Sequence, residues 1–286
     1  MAIPAELIPD PMPAVSGAAR RDRLGVIFWL AAGWIGVIVV AATVAPLLPL
    51  ADPSFQDFNA LSLPPSTDHL LGTDDLGRDM LSRIVHGGRI SLTVGLGTLL
   101  AGTAIGGGMG VLAGYFRGTL DAAVGIIVDA TLAFPALVLA LALTAFLGAR
   151  LDVIVFVVTV IAIPGFSRIA RAATISTAQR EYITAARAMG MRDHRIILRE
   201  IVPNVAPTVF AYGLVAVAVA IIVEGALSFL GVGLPPPTPS WGSLISSGRT
   251  SLQWAPWIGL TPSAALFLTV LSFSFAGERL RQRYLT

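Results

Sequence analysis

The sequence predicts an all-α membrane protein with six transmembrane helices and both termini in the cytoplasm. Three observations lead there: too little charge for a water-facing surface, six apolar stretches long enough to cross a bilayer, and a lopsided distribution of arginine. Of the 286 residues, 55% are hydrophobic and 13% charged, about half the charged share of a soluble domain. Lipid must therefore replace water over much of the surface. Length alone would allow one or two soluble domains. The composition instead indicates one membrane domain with modest loops. With no cysteine, there is no disulfide framework and no thiolate metal site.

The elements follow in order. Residues 1–23 are rich in Pro and Ala and carry Arg20, Arg21 and Arg23; they read as a disordered cytoplasmic tail. The apolar run after them is longer than the ~7–15 residues of a signal-peptide core. A helix crosses the ~30 Å hydrocarbon layer in about 20 residues. Six stretches meet that length: 24–48, 90–115, 122–147, 151–169, 206–230 and 256–276. The domain plan is then a first transmembrane segment at 24–50, an outer segment at 51–89, and a five-helix core at 90–277. A cytoplasmic loop (173–205) and an outer loop (231–255) interrupt the core, and a tail (278–286) ends it. Gly102, Gly106, Gly110 and Gly114 strip one face of the second span, which favours close helix packing and a central position.

Orientation follows from arginine, because cytoplasmic loops retain positive charge. All 19 basic residues are arginine. With the N-terminus inside, fourteen fall on the cytoplasmic side. Only Arg78, Arg83, Arg89, Arg150 and Arg249 fall outside. This distribution explains the net charge of +2 by topology, without a nucleic-acid partner. In the outer segments, Pro235, Pro236 and Pro237 enforce a stiff extended path. Trp241, Trp254 and Trp257 suit an interfacial aromatic belt. Asp74, Asp75 and Asp79 lack the ligand spacing of a calcium loop. Thr73 as an N-cap, followed by acids in a first helical turn, accounts for them.

Two acids fall within spans, Asp129 and Glu224. A charge at that depth costs roughly 2.5–3.5 kcal/mol on insertion scales. Each is expected either to be a buried, hydrogen-bonded polar group or to line a pathway. The histidines, His69, His86 and His194, lie on both sides and outside the spans. An intramembrane enzyme would need a nucleophile–base pair or metal ligands clustered at depth, and the spans offer neither. A chain without lysine has no phosphate-binding P-loop, so no ATP, cofactor or metal site is expected on this chain.

The most informative stretch is 181–204. Tyr182, Ala185, Ala186 and Met189 share one helical face. Gly190 can take the positive φ that ends a helix, and Asp193 can start another. Ile197, Leu198 and Ile201 line the second helix, and Pro203 is expected to end it. The loop is thus an amphipathic helix pair at the cytoplasmic surface. It could rest on anionic lipid or insert into a cleft on a partner; periodicity alone leaves both open.

This loop resembles the EAA loop of ABC-importer permeases, whose pattern is Glu-Ala-Ala, three residues, Gly, nine residues, Ile-x-Leu-Pro. Ala185, Ala186, Gly190 and Pro203 match at that spacing. Thr184 replaces the Glu, Glu200 sits at the Ile position, and Val202 replaces Leu. The string from Glu181 to Gly190 is similar to the dipeptide/oligopeptide/nickel branch, where Thr in that place is usual. Residues 69–83, 224–233 and 239–242 resemble further segments of the second permease in that branch. The usual Asp-Pro ending is missing.

The resemblance implies a type I ABC-importer permease fold in a bacterial inner membrane. It implies half of a translocation pathway, completed by a second homologous permease. Two cytoplasmic ATPases would carry the ATP and Mg, and an extracytoplasmic binding protein would deliver substrate. Di- or oligopeptides are the implied cargo, with nickel or another metal chelate as the alternative. The ATPase-docking residues it implies are Glu181, Tyr182, Thr184, Ala185, Ala186, Arg187, Met189, Gly190, Arg192 and Pro203. Arg187 and Arg192, flanking the turn, are the expected contacts.

Overall fold

Apolar stretches dominate this chain, and helices dominate its structure. The computed structural model describes residues 25–285; the expected tail at 1–23 lies outside them. Among the described residues the only strand pairing is one antiparallel bridge, Thr73 to Asp79. Five helices are long and apolar enough to cross a membrane, and a bent helix pair makes a sixth passage if it is one span.

Helix α1 (Val26–Val44) buries little of itself. Its exposed Val, Ile, Trp and Leu side chains suit lipid. The next helix starts earlier than hydropathy predicts. α2 (Met80–Gly102), a π-helical turn (Thr103–Gly107) and α3 (Gly108–Phe116) form one continuous 37-residue rod. Arg83, His86 and Arg89 dilute its first turns, which hid the start at Met80. The N-cap is Asp79, not Thr73: its carboxylate accepts the Ser82 N–H at 2.8 Å. The Thr73 hydroxyl donates instead to the Ala60 carbonyl.

The glycine stripe does what bare glycine allows. α6 (Leu151–Ala178) lies against it. A Cβ on Gly106 would come within 2.8 Å of the Ile163 carbonyl oxygen, and one on Gly114 equally close to that of Arg171. No side chain fits there, so α2, α3 and α6 form one tightly packed unit.

The third expected span, 122–147, is broken. α4 (Gly118–Leu132) and α5 (Ala136–Leu147) meet at 85°. Pro135 explains the break: it has no N–H to donate, and its ring displaces the carbonyl four residues back.

The expected cytoplasmic loop holds α7 (Glu181–Ala188) and α8 (Asp193–Ile196). Here a second expectation changes. α8, a π-helical turn (Ile197–Ile201) and α9 (Val202–Phe229) run on without a stop, so Pro203 does not end a helix. The wide turn before it loosens the hydrogen-bond ladder. Pro203 then sits in the first turn of α9, where its missing N–H costs least.

On the outer side, α10 (Trp241–Gly248) starts with a capping box between Ser240 and Ser243. Trp241 is fully buried rather than interfacial, and its indole N–H donates to the Ile84 carbonyl at 2.9 Å. Trp257 donates to the Thr73 carbonyl at 3.2 Å. Ser251 donates to Asp75 at 2.8 Å. These bonds fasten the two outer segments together. α11 (Pro256–Leu285) closes the bundle against α9, α10 and α1. It runs past 276, so residues 278–285 extend a helix rather than form a separate tail.

Candidate docking loop

Each turn of this loop has a local cause. Arg180 and Arg192, in extended conformation, precede α7 and α8. Asp193 lies in the first turn of α8 and is not its cap. Gly190 has φ +77°, the left-handed conformation that glycine adopts without penalty. Around it the Gly190 N–H donates to the Arg187 carbonyl at 2.9 Å, and the Met191 N–H to that of Ala186 at 3.1 Å. Backbone groups at the end of α7 are thereby satisfied, as a glycine C-cap requires.

The expected apolar face of α7 is divided. Ala186 turns inward beside Ile183, and both are buried in the main core with Ile196, Ile197 and Ile201. Tyr182, Ala185 and Met189 stay outside, with Tyr182 39% and Met189 78% exposed. Ile183 decided this rotation, because a fully buried isoleucine gains roughly 1.5–3 kcal/mol over an exposed one. Glu181, Thr184, Arg187, Arg192 and Pro203 are also exposed.

One anchor was absent from the sequence reading. The Tyr115 hydroxyl, at the end of α3, donates to Asp193 at 2.7 Å. The Arg187 guanidinium lies over the Tyr115 ring, 4.9 Å from its centroid. Tyr115 thus clips both sides of the Gly190 turn to the second span. Nothing in the local sequence around Tyr115 signals this, since its partners lie more than 70 residues away. Arg187 is engaged within the chain, while Arg192 has only its backbone engaged in the described bonds.

The two intraspan acids part company. Glu224 is fully buried. Its two carboxylate oxygens accept from Ser91 and Ser228, each at 2.8 Å. It therefore ties α2 to α9, and through Ser228, 3.3 Å from Ser240, to the start of α10. Asp129 is not buried: its side chain is 73% exposed and pairs with Arg168, 60% exposed, at 2.9 Å. A second pair on the same helices joins Asp121 to Arg171.

Residues 106–285 match the family model described as "Binding-protein-dependent transport system inner membrane component". The chain belongs to this family. The permease is accordingly a transport component of the inner membrane and not itself catalytic. Membership implies ATPase and substrate-binding partners.

Relatives extend the likeness over most of the chain. The permease is 38% identical to the glutathione transport system permease protein GsiD of Pectobacterium atrosepticum, over 86% of this chain and 81% of that protein. It is 36% identical to the dipeptide transport system permease protein DppC of Alkalihalophilus pseudofirmus, over 86% and 83%. Among solved structures, the inward-facing MetNI methionine ABC transporter matches with a TM-score of 0.58 at 20% identity. That match covers 72% of this chain and 97% of the other, and it concerns the fold, a type I importer permease.

Proposed function

We propose that the permease forms half of the translocation pathway of an ATP-driven importer for short peptides. It pairs with a second homologous permease, and two ATPases dock on α7. The observation that carries the docking reading is the division of α7. Ile183 and Ala186 root the helix in the core, while Tyr182, Ala185 and Met189 present an unpartnered apolar face to the cytoplasm. A small residue at the centre of that face leaves room for the wall of a cleft. The peptide and glutathione cargoes named for the relatives support short peptides as substrate; no observation favours a nickel chelate. Closure of the ATPases displaces α7, and the packed helices follow as rigid bodies. The exposed Asp129–Arg168 pair supports a place beside water, because charges facing lipid are costly. Glu224 has the partners of a structural residue.

Ala185→Trp tests the docking. It fills the centre of the exposed face without entering the core. The variant is expected to insert normally and to lose both copurifying ATPase and dipeptide uptake. Wild-type levels of both would refute docking on α7.

A further inference from the structure

The expected outer ends of the helices border an open cavity of about 460 Å³. Its lining includes Arg78, Arg83, Thr238, Ser243, Ser246 and Ser247, with the proline run at 235–237 along one side. Both guanidiniums lean on a single acid: Asp74 Oδ2 lies 2.7 Å from Arg78 Nε and 3.4 Å from Arg83 Nε. The neighbouring acids are used elsewhere. Asp75 accepts from Ser251 and Ser62. Asp79 caps α2 and contacts His69. The cluster of Arg78, Arg83 and Asp74 therefore carries one positive charge in excess. Arg83 is 5% exposed; its Nη1–H donates to the Pro53 carbonyl at 2.8 Å, while its Nε–H has no acceptor in hydrogen-bonding geometry. A buried cation that must share its one acid with a second arginine is costly and favours a further anion. The Ser247 hydroxyl bonds only to the Leu244 carbonyl of its own turn, so it can rotate to donate to a guest, whereas Ser243 is held in the capping box with Ser240.

We propose that this cavity is a carboxylate site, and that it takes the C-terminal carboxylate of a short peptide at the outer mouth of the pathway. Arginine presents donors in the fork geometry that a carboxylate matches. The Ser247 hydroxyl supplies a further donor. The proposal rests on the peptide reading above and adds a specific subsite to it.

Direct binding tests it. The intact complex, in nanodiscs and without the binding protein, is titrated with tri-alanine and with tri-alanine amide. Tri-alanine is expected to bind, and the amide at least about tenfold more weakly, the scale of a lost charge-assisted hydrogen bond. Arg78→Gln is expected to remove that preference and Arg78→Lys to keep part of it. Ser247→Asp changes an exposed position and repels a carboxylate, so it reports even if Arg78→Gln fails to fold; it too is expected to bind about tenfold more weakly. Equal affinity for acid and amide, or no effect of Ser247→Asp, overturns the site. So does a loss of binding-protein capture in Arg78→Gln when tri-alanine does not bind the wild type, for the carboxylate is then the binding protein's. Tri-alanine uptake by the full system, measured alongside, separates the two claims. Uptake without direct binding refutes the subsite alone, whereas absent uptake of short peptides refutes the cargo and the subsite with it.

Discussion

Glu224 shows how one buried acid can be held in a membrane helix without a cation. Two serine hydroxyls donate to its oxygens, and they come from α2 and from α9 itself. Removing the carboxylate leaves Ser91 without its buried partner and opens a cavity. Glu224→Ala is expected to destabilise the permease by about 2–4 kcal/mol, read as a lower thermal midpoint in detergent. Glu224→Gln keeps an oxygen to accept from one serine and an amide to donate to the other. It is expected to cost under about 1.5 kcal/mol. Equal losses in the two variants would show that the hydrogen bonds contribute little. The sequence flagged Glu224 as needing partners, but those partners are spread over 133 positions of chain, and only folding identifies them.

At the scale of elements, the glycines and prolines decide most of the geometry. Gly110 and Gly108 stand two apart on one helix and meet opposite surroundings. A Cβ on Gly110 runs into the Ser167 carbonyl, whereas nothing lies within 4 Å of one on Gly108. Gly110→Leu is expected to force α3 from α6 at a cost of roughly 1–3 kcal/mol or more, with loss of folded protein and uptake. Gly108→Ala is expected to be neutral or to stabilise by up to about 1 kcal/mol through helix propensity. Thermal unfolding of both variants checks the contrast; a tolerated Gly110→Leu would refute close packing. The stripe was readable because its four-residue spacing is a property of one helix. Pro135 and Pro203 were harder. Both lack an N–H, yet one breaks a span and the other begins a helix. What separates them is the π-helical turn before Pro203, which packs against α3 and α6.

Across the whole molecule, the helices form two connected regions. At one end, Trp241 fastens α10 to α2, and residues 51–79 are fastened to the segment after α10 by Ser251 and to α11 by Trp257. At the other end, α7 and α8 are clipped to α3 by Tyr115. This clip bears on how a displacement of α7 would reach the spans, since α3 belongs to the glycine-packed unit with α6. Tyr115→Phe keeps the ring beneath Arg187 and deletes the bond to Asp193. The expected outcome is a complex that assembles and hydrolyses ATP but moves fewer substrate molecules per ATP. Asp193→Asn keeps an acceptor oxygen and is expected to retain more coupling than Asp193→Ala. An unchanged ratio of transport to hydrolysis in Tyr115→Phe would show that the clip is only structural.

The loop around Gly190 shows where sequence and structure divide the work. By itself, the sequence determined the membrane class, the five long spans, the helix pair around Gly190 and the family. These rest on local properties: hydropathy over some 20 residues, one glycine's conformational freedom, and a fixed motif spacing. Tertiary structure alone decided which face of α7 turns inward, that Arg187 lies on Tyr115, that α4 and α5 bend apart, and that Arg78 and Arg83 share one acid. Each of these depends on contacts between residues distant in the chain, or on which of two permitted faces gains more by burial. Periodicity can list such faces but cannot rank them, because the ranking belongs to the partner surface.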